Sequence, residues 1–388
     1  MSDKAIIPYS LKSLVLYFLK LGATGFGGPV ALVGYMHRDL VDKRKWISED
    51  DYREGLALAQ LAPGPLAAQL GIYIGFVHYR LLGATLAGLA FVLPSFIIVL
   101  ALGIAYKYYQ GISWMQAVFY GVGAAVIGII AVSAWKLTKK STGKDPYRWF
   151  IYLVAAITTI ITENENVLLF IAAGIFYWLV KSAGSLKKKA GASAQFFIPV
   201  LLQIDTGTTQ AGKLQDIFLF FIKAGAFVFG SGLAIVPFLY GGVVKEYGWL
   251  NEQEFMDAVA VAMITPGPVV ITVGFIGYLT AGFSGASVAA FATFFPCYLF
   301  TVIPAPYFKK YGKRPGIKAF VDGITAAAIG AIAGAVIVLG KRSISDLPTI
   351  LICAITIAIL VLSKKITEQI IILAAALAGL IIKIIQPS

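Results

Sequence analysis

The feature that most constrains this chain is a Pro-Gly-Pro triplet that occurs twice within apolar sequence, at Pro63–Pro65 and, 203 residues later, at Pro266–Pro268. Proline lacks the amide hydrogen that a helix needs and glycine favours other conformations, so neither triplet can lie inside a continuous helix. Broken helices occur at membrane depth where the freed backbone is buried in protein or lines a cavity. Two breaks at corresponding positions therefore predict a transport site.

Composition places the chain in the membrane. Apolar residues make up 59% of the 388 residues and charged residues 13%, and the mean hydropathy is +0.83. A soluble chain has roughly half apolar and a quarter charged residues, so we predict a multi-pass protein of the lipid bilayer. The net charge of +13 comes from basic residues in short loops, which fits the positive-inside bias and predicts no nucleic-acid partner. Lys20 interrupts the first apolar stretch and no cleavage site follows, so we predict no removable signal peptide.

The second half of the chain repeats the first. Helix-breaking and aromatic positions recur at a spacing of 203 and, beyond a one-residue deletion, at a spacing of 202. The pairs include Gly27 with Gly230, Trp46 with Trp249, Pro94 with Pro296 and Gly128 with Gly330. Such a register predicts two homologous helical bundles. We assign residues 1–183 to a first membrane repeat, 184–213 to a basic linker and 214–388 to a second membrane repeat.

The charges of the loops indicate how the repeats are oriented. The loop Lys136–Arg148 has five basic residues and one acidic residue, whereas its counterpart Lys341–Asp346 has two and one. In the second half the strongly basic loop, Tyr307–Lys318, lies one apolar segment earlier. Opposite bias in equivalent loops predicts opposite sides of the membrane. The predicted fold is an all-α polytopic membrane protein of two inverted-topology repeats, with broken or re-entrant helices that meet near the midplane.

Within the first half, apolar stretches of three kinds are expected. Two stretches with internal breaks, residues 12–36 and Gly55–Tyr79, predict broken or re-entrant helices. Two stretches of more than 20 residues predict full crossings: Leu81–Tyr106, kinked at Pro94, and Trp114–Trp135. Two stretches of 14 residues, about 21 Å as helix, predict short crossings: Trp149–Thr162 and Val167–Val180.

The breaks predict an anion site. A helix that begins at mid-depth leaves its first amides unpaired and directs the positive end of its dipole inward. Pro65 and Pro268 can each begin such a helix, and so can Pro29. The predicted substrate-binding residues of the breaks are Gly27, Gly28, Pro63, Gly64, Pro65, Gly230, Ser231, Pro266, Gly267 and Pro268. The alternative is that the triplets are kinks that only allow close helix packing.

Two lysines complete the predicted site. Lys20 and Lys223 are equivalent and lie in apolar segments, where a charge costs roughly 2.5 to 3.5 kcal/mol on insertion scales. We expect each of them to face a cavity or a partner and to supply countercharge to an anion. Snorkelling of the lysine to the membrane surface is the alternative.

Other polar residues lie near the breaks. Glu54 and Asp257 are equivalent and could carry a coupled proton or neutralise the lysines, although carboxylates in the first turn of a helix at the interface are also common. Gln60, Gln69 and Thr265 could donate hydrogen bonds to an oxyanion, or could bond to a neighbouring helix.

Other chemistry has little support in the sequence. His37 and His78 form no cluster with cysteine or carboxylate residues, so we predict no metal. Cys297 and Cys353 lie in apolar stretches and are expected to be buried. The chain has no nucleophile elbow and no phosphate-binding loop. We therefore predict no cofactor, no enzymatic activity and no ATP-driven pump.

The motifs around the breaks resemble those of the chromate ion transporter family in its long, two-domain form. They are Phe26–Pro29, Gln60–Pro65 followed by Gln69–Gly71, Phe229–Gly232 and Thr265–Pro268. The resemblance implies a secondary transporter of the prokaryotic inner membrane that exports chromate and confers resistance, with sulfate as the related oxyanion. The first half has Gly27-Gly28-Pro29 where the second has Gly230-Ser231-Gly232, so the two half-sites need not be equivalent.

Several alternatives stay open at this point. The residues suit a tetrahedral dianion but do not select among chromate, sulfate and other oxyanions, and they do not name the coupling ion or the direction of transport. An anion channel would share the broken helices. A second copy of the chain is a candidate partner, because small-residue spacings such as Gly330 to Gly334 can pack helices within or between protomers.

Overall fold

The computed structural model describes residues 9–25, 28–109, 113–162, 167–186, 210–228, 235–311, 314–344, 346–363, 366 and 368–385. Every regular element in these ranges is helical, which confirms the predicted all-α class. The α-helices are α1 Leu11–Thr24, α2 Gly28–Met36, α3 Glu49–Leu61, α4 Leu66–Tyr109, α5 Ser113–Ser141, α6 Pro146–Thr162, α7 Val167–Leu186, α8 Gln210–Ala226, α9 Ile235–Tyr240, α10 Glu252–Ile264, α11 Thr272–Val302, α12 Ala305–Tyr311, α13 Pro315–Ser343, α14 Leu347–Leu362 and α15 Glu368–Ile385. Two π-helical segments, His37–Lys43 and Gly241–Glu246, and one 3₁₀ turn, Val269–Ile271, complete the set.

Five helical stretches in the described residues are long and apolar enough to cross a membrane. They are Leu66–Tyr109, Gln116–Lys139, Val269–Phe308, Pro315–Lys341 and Glu368–Ile385. Large apolar side chains such as Leu89 and Ile97 are more than half exposed, as expected for a surface that faces lipid. The predicted short crossings are longer than their apolar stretches, because α6 begins at Pro146 and α7 continues through Lys181 to Leu186.

The first repeat contains two helical hairpins at the predicted breaks. α1 ends at Thr24 and α2 begins at Gly28, and a Cβ on Gly25 would lie 2.5 Å from the Leu32 side chain. The second hairpin is formed by α3, the Pro63–Pro65 turn and the beginning of α4, and a Cβ on Gly55 of α3 would lie 2.2 Å from the Tyr73 ring.

The 44-residue helix α4 is two helices that fold back on each other. Arg80 has φ 51° and ψ −139°, and a Cβ on Gly75 would lie 2.3 Å from the carbonyl oxygen of Gly83, eight residues further along the chain. Residues eight apart in one straight helix would be about 12 Å apart, so the chain reverses at Arg80. We call residues 66–79 α4a and residues 81–109 α4b. α11 reverses in the same way near Gly282, which brings Gly277 against Gly285; its two parts are α11a, residues 272–280, and α11b, residues 283–302.

The last two helices of each repeat pack against the other repeat. Gly330 and Gly334 of α13 approach the backbone of Tyr152 and Ala156 in α6, so this small-residue spacing is used within the chain. In the equivalent arrangement, Gly121 of α5 lies against the backbone of α15 at Ala375. Side chains smaller than a methyl group are required at these contacts, because an added Cβ would lie 2.0 to 2.5 Å from a carbonyl oxygen.

Contacts between each hairpin and the other repeat are also reciprocal. Tyr106, near the end of α4b, donates a hydrogen bond to Asp257 of α10. Phe308 of α12, its equivalent at a spacing of 202, packs with Leu58 and Tyr73 of the first repeat. α4b and α12 thus each contact the hairpin of the other repeat. The predicted linker falls mainly on residues 187–209, which lie outside the described residues, and the domain division stays a prediction.

Candidate functional site

The two Pro-Gly-Pro turns meet where the repeats join. The amide of Gly64 donates a hydrogen bond to the carbonyl oxygen of Val228 at 2.5 Å, and the amide of Gly267 donates to Gly25 at 3.0 Å. Gly64 and Gly267 are equivalent, and so are Gly25 and Val228, at the spacing of 203. Each turn is therefore bonded to the end of the first helix of the other repeat. We call these two hydrogen bonds the crossed pair.

Glycine is required at the centre of both turns. Gly64 has φ 143° and Gly267 has φ 92°, a backbone region that residues with a side chain rarely adopt. Space is also lacking, because a Cβ on Gly267 would lie 1.9 Å from Oγ of Ser95. Ser95 is fully buried on α4b and donates a hydrogen bond to the carbonyl oxygen of Gly22 at 3.3 Å. The turn, α1 and α4b are thus in direct contact.

A small cavity borders the junction. Its lining comes from the starts of three helical segments, and every lining residue is apolar or glycine: Pro29, Leu32, Pro65, Ala67, Gly267, Pro268, Val269 and Val270. Pro29, Pro65 and Pro268 have no amide hydrogen, so the donors available at this space are the other backbone amides of the turns and of the first helical turns. α2 and α4a begin beside the cavity, and the positive end of a helix dipole favours an anion.

The structure brings most of the predicted break residues together and leaves the lysines away from the cavity. Pro63–Pro65, Pro266–Pro268 and Gly28, at the start of α2, lie at the junction. Lys20 is on the exposed side of α1 and Lys223 is partly exposed on α8; neither lines the cavity. Gly27, Gly230 and Ser231 lie outside the described residues.

The predicted polar residues near the breaks have different surroundings. Gln69 is fully buried, and its amide nitrogen donates to the carbonyl oxygen of Pro63 at 2.7 Å, which ties the first turn of α4a to the Pro63–Pro65 turn. The hydroxyl of Thr265 donates to the carbonyl oxygen of Ala262. Gln60 is exposed on the last turn of α3.

Comparison with known proteins identifies the family. The family described as Chromate transporter matches residues 12–178 and 215–380, once in each predicted repeat. The chain belongs to the chromate transporter family. It is 65% identical to the chromate transport protein of Cupriavidus metallidurans over 376 residues, which cover 96% of this chain and 93% of that protein. It is 64% identical to the probable chromate transport protein of Synechococcus elongatus, with 96% of each chain covered, and 30% identical to the chromate transport protein of Pseudomonas aeruginosa, with 96% and 92% covered.

No solved structure matches the chain. The resemblance read from the sequence is confirmed by the family match. In this chromate transporter family member the two matched ranges correspond to the two halves that meet at the crossed pair.

The two predicted carboxylates, Asp257 and Glu54, differ in how far they are buried. Asp257 is 4% exposed, and it accepts hydrogen bonds from the Tyr106 hydroxyl at 2.7 Å and from the Gln253 amide at 2.8 Å. Glu54 is partly exposed and shares a hydrogen bond with Tyr73. Asp257 lies in the second turn of α10 and has two uncharged hydrogen-bond partners. Its partner Tyr106 carried no signal in the sequence, because the two residues are 151 positions apart.

The histidines have local partners. His37 contacts Glu49 at 2.8 Å and Asp42 at 3.3 Å, and its hydrogen bond holds the pKa of the Glu49 carboxyl below the usual range. His78 shares a hydrogen bond with the Tyr9 hydroxyl at 2.9 Å. The described residues contain no group of three or more histidine, cysteine or acidic residues that could hold a metal ion.

Proposed function

We propose that this protein transports chromate across the membrane by secondary active transport with alternating access. The observation that carries the proposal is the cavity at which helix starts from both repeats converge. A tetrahedral dianion suits such a site, because several amides and helix dipoles can share its charge without a metal. The names of the relatives from Cupriavidus metallidurans and Pseudomonas aeruginosa support chromate as the substrate.

Because the crossed pair joins the two repeats, substrate binding at its amides would change the contact between the repeats. The amides of Gly64 and Gly267, which we propose as anion donors, donate here to carbonyl oxygens of the other repeat. An oxyanion that takes their place frees Val228 and Gly25 from the turns, so substrate binding loosens the contact between the repeats. The structure would then correspond to a substrate-free, closed state.

The reciprocal contacts support inverted repeats. The end of α4b meets α10, and α12 meets α3 and α4a, which is the pattern that two copies related by a two-fold axis produce. Together with the opposite charge bias of equivalent loops, it supports inverted repeats. Rocking of one repeat against the other would expose the junction to each side in turn. We place the protein in the prokaryotic inner membrane as a multi-pass protein that exports chromate and thereby confers resistance.

Lys20 and Lys223 act in this proposal from outside the cavity. Their charges raise the potential along the route to the junction and attract a dianion before it contacts the amides. Replacement of each lysine in turn, Lys20→Met and Lys223→Met, should weaken apparent chromate affinity by about two- to tenfold, with a smaller effect at high salt. Unchanged affinity in both variants would remove the lysines from the mechanism.

The proposal is tested with purified protein in liposomes. Preloaded unlabelled chromate should drive counterflow of radiolabelled chromate, and sulfate, molybdate and phosphate added outside should compete in the order of their affinities. Counterflow requires a carrier, so uptake that only dissipates a gradient would indicate a channel. Absence of chromate flux together with flux of sulfate would assign another oxyanion.

A further inference from the structure

The buried carboxyl group of Asp257 has hydrogen-bond partners without charge. It is 4% exposed, and both of its oxygens accept hydrogen bonds, one from the hydroxyl of Tyr106 and one from the amide of Gln253. Removing an ionised carboxylate from water costs several kcal/mol unless a cation accompanies it. Neutral donors compensate only part of that cost, so protonation is a ready way to relieve it. Asp257 is thus built to gain and lose a proton.

Several charged groups on the elements around α10 are engaged elsewhere, and Lys107 of α4b and Lys139 of α5 are exposed. Glu254, on α10 itself, is the charged residue that acts on Asp257, and it disfavours ionisation. Lys136 on α5 interacts with Glu368 on α15, Lys245 of the π-helical segment pairs with Glu252, and Lys383 on α15 lies over the Tyr120 ring. α11a and α5 present the rings of Phe275 and Phe119 to Tyr106. Gln253, which donates to Asp257, is exposed.

Glu54 is the equivalent of Asp257 in the first repeat, and the two acids differ in where their tyrosine partner lies. Glu54 bonds to Tyr73, which is on α4a of its own repeat. At a spacing of 202, Phe275 replaces Tyr73 and Phe308 replaces Tyr106. Each acid therefore bonds to a tyrosine that packs with a phenylalanine, Tyr73 with Phe308 and Tyr106 with Phe275, and the two tyrosines are on non-equivalent elements. The hydroxyl that serves Asp257 belongs to the other repeat, so its hydrogen bond depends on how the repeats are positioned.

We propose that Asp257 takes up and releases the proton that couples transport to a pH gradient, and that Tyr106 links its charge state to the position of the first repeat. When α4b lies against α10, burial favours the protonated carboxyl group of Asp257. When α4b withdraws, water on that side of the membrane reaches Asp257, the O–H bond breaks and the proton passes to that water. With the repeats in the opposite position, the carboxylate takes a proton from the water of the other side, and α4b closes over the new O–H bond. The inference rests on the proposed transport function.

The test uses the full chain in liposomes with the membrane potential clamped to zero. A pH gradient of one unit, imposed in either direction, drives about tenfold accumulation per coupled proton. We expect about tenfold accumulation of chromate by the wild type for one direction of the gradient, and equilibration only for Asp257→Asn. The matched control is Asp346→Asn: Asp346 also accepts a hydrogen bond from a tyrosine of the other repeat, Tyr120, but it is exposed. Asparagine also caps α14 there, so accumulation should remain as in the wild type.

Separate readouts distinguish the outcomes. Absence of chromate counterflow by the wild type at equal pH would contradict the proposed function. Counterflow without gradient-driven accumulation, or full accumulation by Asp257→Asn, would overturn the coupling role. If Asp257→Asn does not fold, the pH profile of chromate accumulation by Tyr106→Phe tests the proposal instead. Loss of one donor to the carboxylate should move the pH profile of accumulation upward by about one unit, and an unshifted profile would overturn the proposal.

Discussion

At the residue scale, the two turns depend on backbone requirements that the sequence displays. The triplets predict helix breaks at Gly64 and Gly267, and both glycines have positive φ in the structure, whereas their role in substrate binding stays a prediction. Ser95 was missed, although a serine next to Pro94 in an apolar helix is a signal that could have been read. Tyr106 could not have been found, since its role depends on a residue in the other repeat.

Gly267→Ala should damage the protein more than a glycine change at an open turn. Both Gly267→Ala and the control Gly248→Ala incur the backbone cost of positive φ, roughly 1 to 2 kcal/mol. Only the Cβ at 267 also overlaps Ser95, whereas Gly248 has no atom within 4 Å of the added Cβ. The apparent melting temperature in detergent and chromate counterflow should both fall further for Gly267→Ala.

A second change tests the cause. Adding Ser95→Gly to Gly267→Ala removes the overlapping hydroxyl and should recover part of the melting temperature. Equal losses for Gly267→Ala and Gly248→Ala, or no recovery in the double variant, would mean that the overlap with Ser95 is not what makes glycine necessary at 267.

At the element scale, the breaks were predictable but the reversals were only partly so. The polar residues His78 and Arg80 separate two apolar stretches in the sequence, and the structure reverses the chain at Arg80, where the backbone angles are not helical. The reversal depends on a positive φ at Arg80 and on the contact of Gly75 with Gly83, neither of which a hydrophobic pattern shows. Periodicity reports which face of a helix is apolar and not which helix covers it.

Gly75→Val should disrupt the reversal in α4. The added side chain would meet the carbonyl oxygen of Gly83, where the Cβ alone would lie at 2.3 Å, and overpacking of this kind costs about 1 to 3 kcal/mol or more. Gly34→Val is the control, because a Cβ on Gly34 has no atom within 4 Å. Yield of monodisperse protein after size-exclusion chromatography should fall for Gly75→Val only. Similar yields of the two variants would contradict the close contact.

At the scale of the whole molecule, the sequence shows the duplication but not the exchange of helices between repeats. By this exchange we mean that α6 and α7 pack against α13 of the second repeat, and α14 and α15 pack against α5 of the first. Register alone shows that α6 and α14 are equivalent, but it does not show that each packs against the other half. At one end of this packing a polar cluster joins the repeats: Arg148 of α6 pairs with Asp322 of α13 and bonds to Tyr177 of α7, which in turn donates to Asp145.

Asp145 should make this joint sensitive to acid. Burial alone would raise the pKa of its carboxyl, but hydrogen bonds from Lys181, Tyr177 and the Tyr147 amide outweigh that effect and lower the pKa from 3.8 to about 2. A lowered folded-state pKa gives stability that is present above the unfolded-state pKa and lost as the pH falls from about 4 toward 2. The apparent melting temperature should therefore drop over that window in the wild type.

Asp145→Asn should melt lower than the wild type at pH 7 and lose less stability on acidification. The exposed Asp50 gives the control, Asp50→Asn, which should keep the acid response of the wild type. An identical acid response of Asp145→Asn and the wild type would show that the cluster does not contribute to the pH dependence.

The exchange of helices also predicts how the halves behave when separated. A chain cut between residues 186 and 210 leaves α6 and α7 without α13, and α14 and α15 without α5. We expect the two halves to copurify when expressed together and to restore chromate counterflow. Either half alone should aggregate or be degraded. Independent stability of one half would contradict the packing of α6 against α13.

The exchange sets an order of events during synthesis. Helices α6 and α7 enter the bilayer before α13 has been made, so their small-residue contact faces must meet lipid while most of the second half is still on the ribosome. Insertion and assembly are therefore separate stages for this chain, and the long-range contacts that close the structure form last. A conditional defect that slows translation of the second half should lengthen the life of that unassembled intermediate and expose it to membrane proteases.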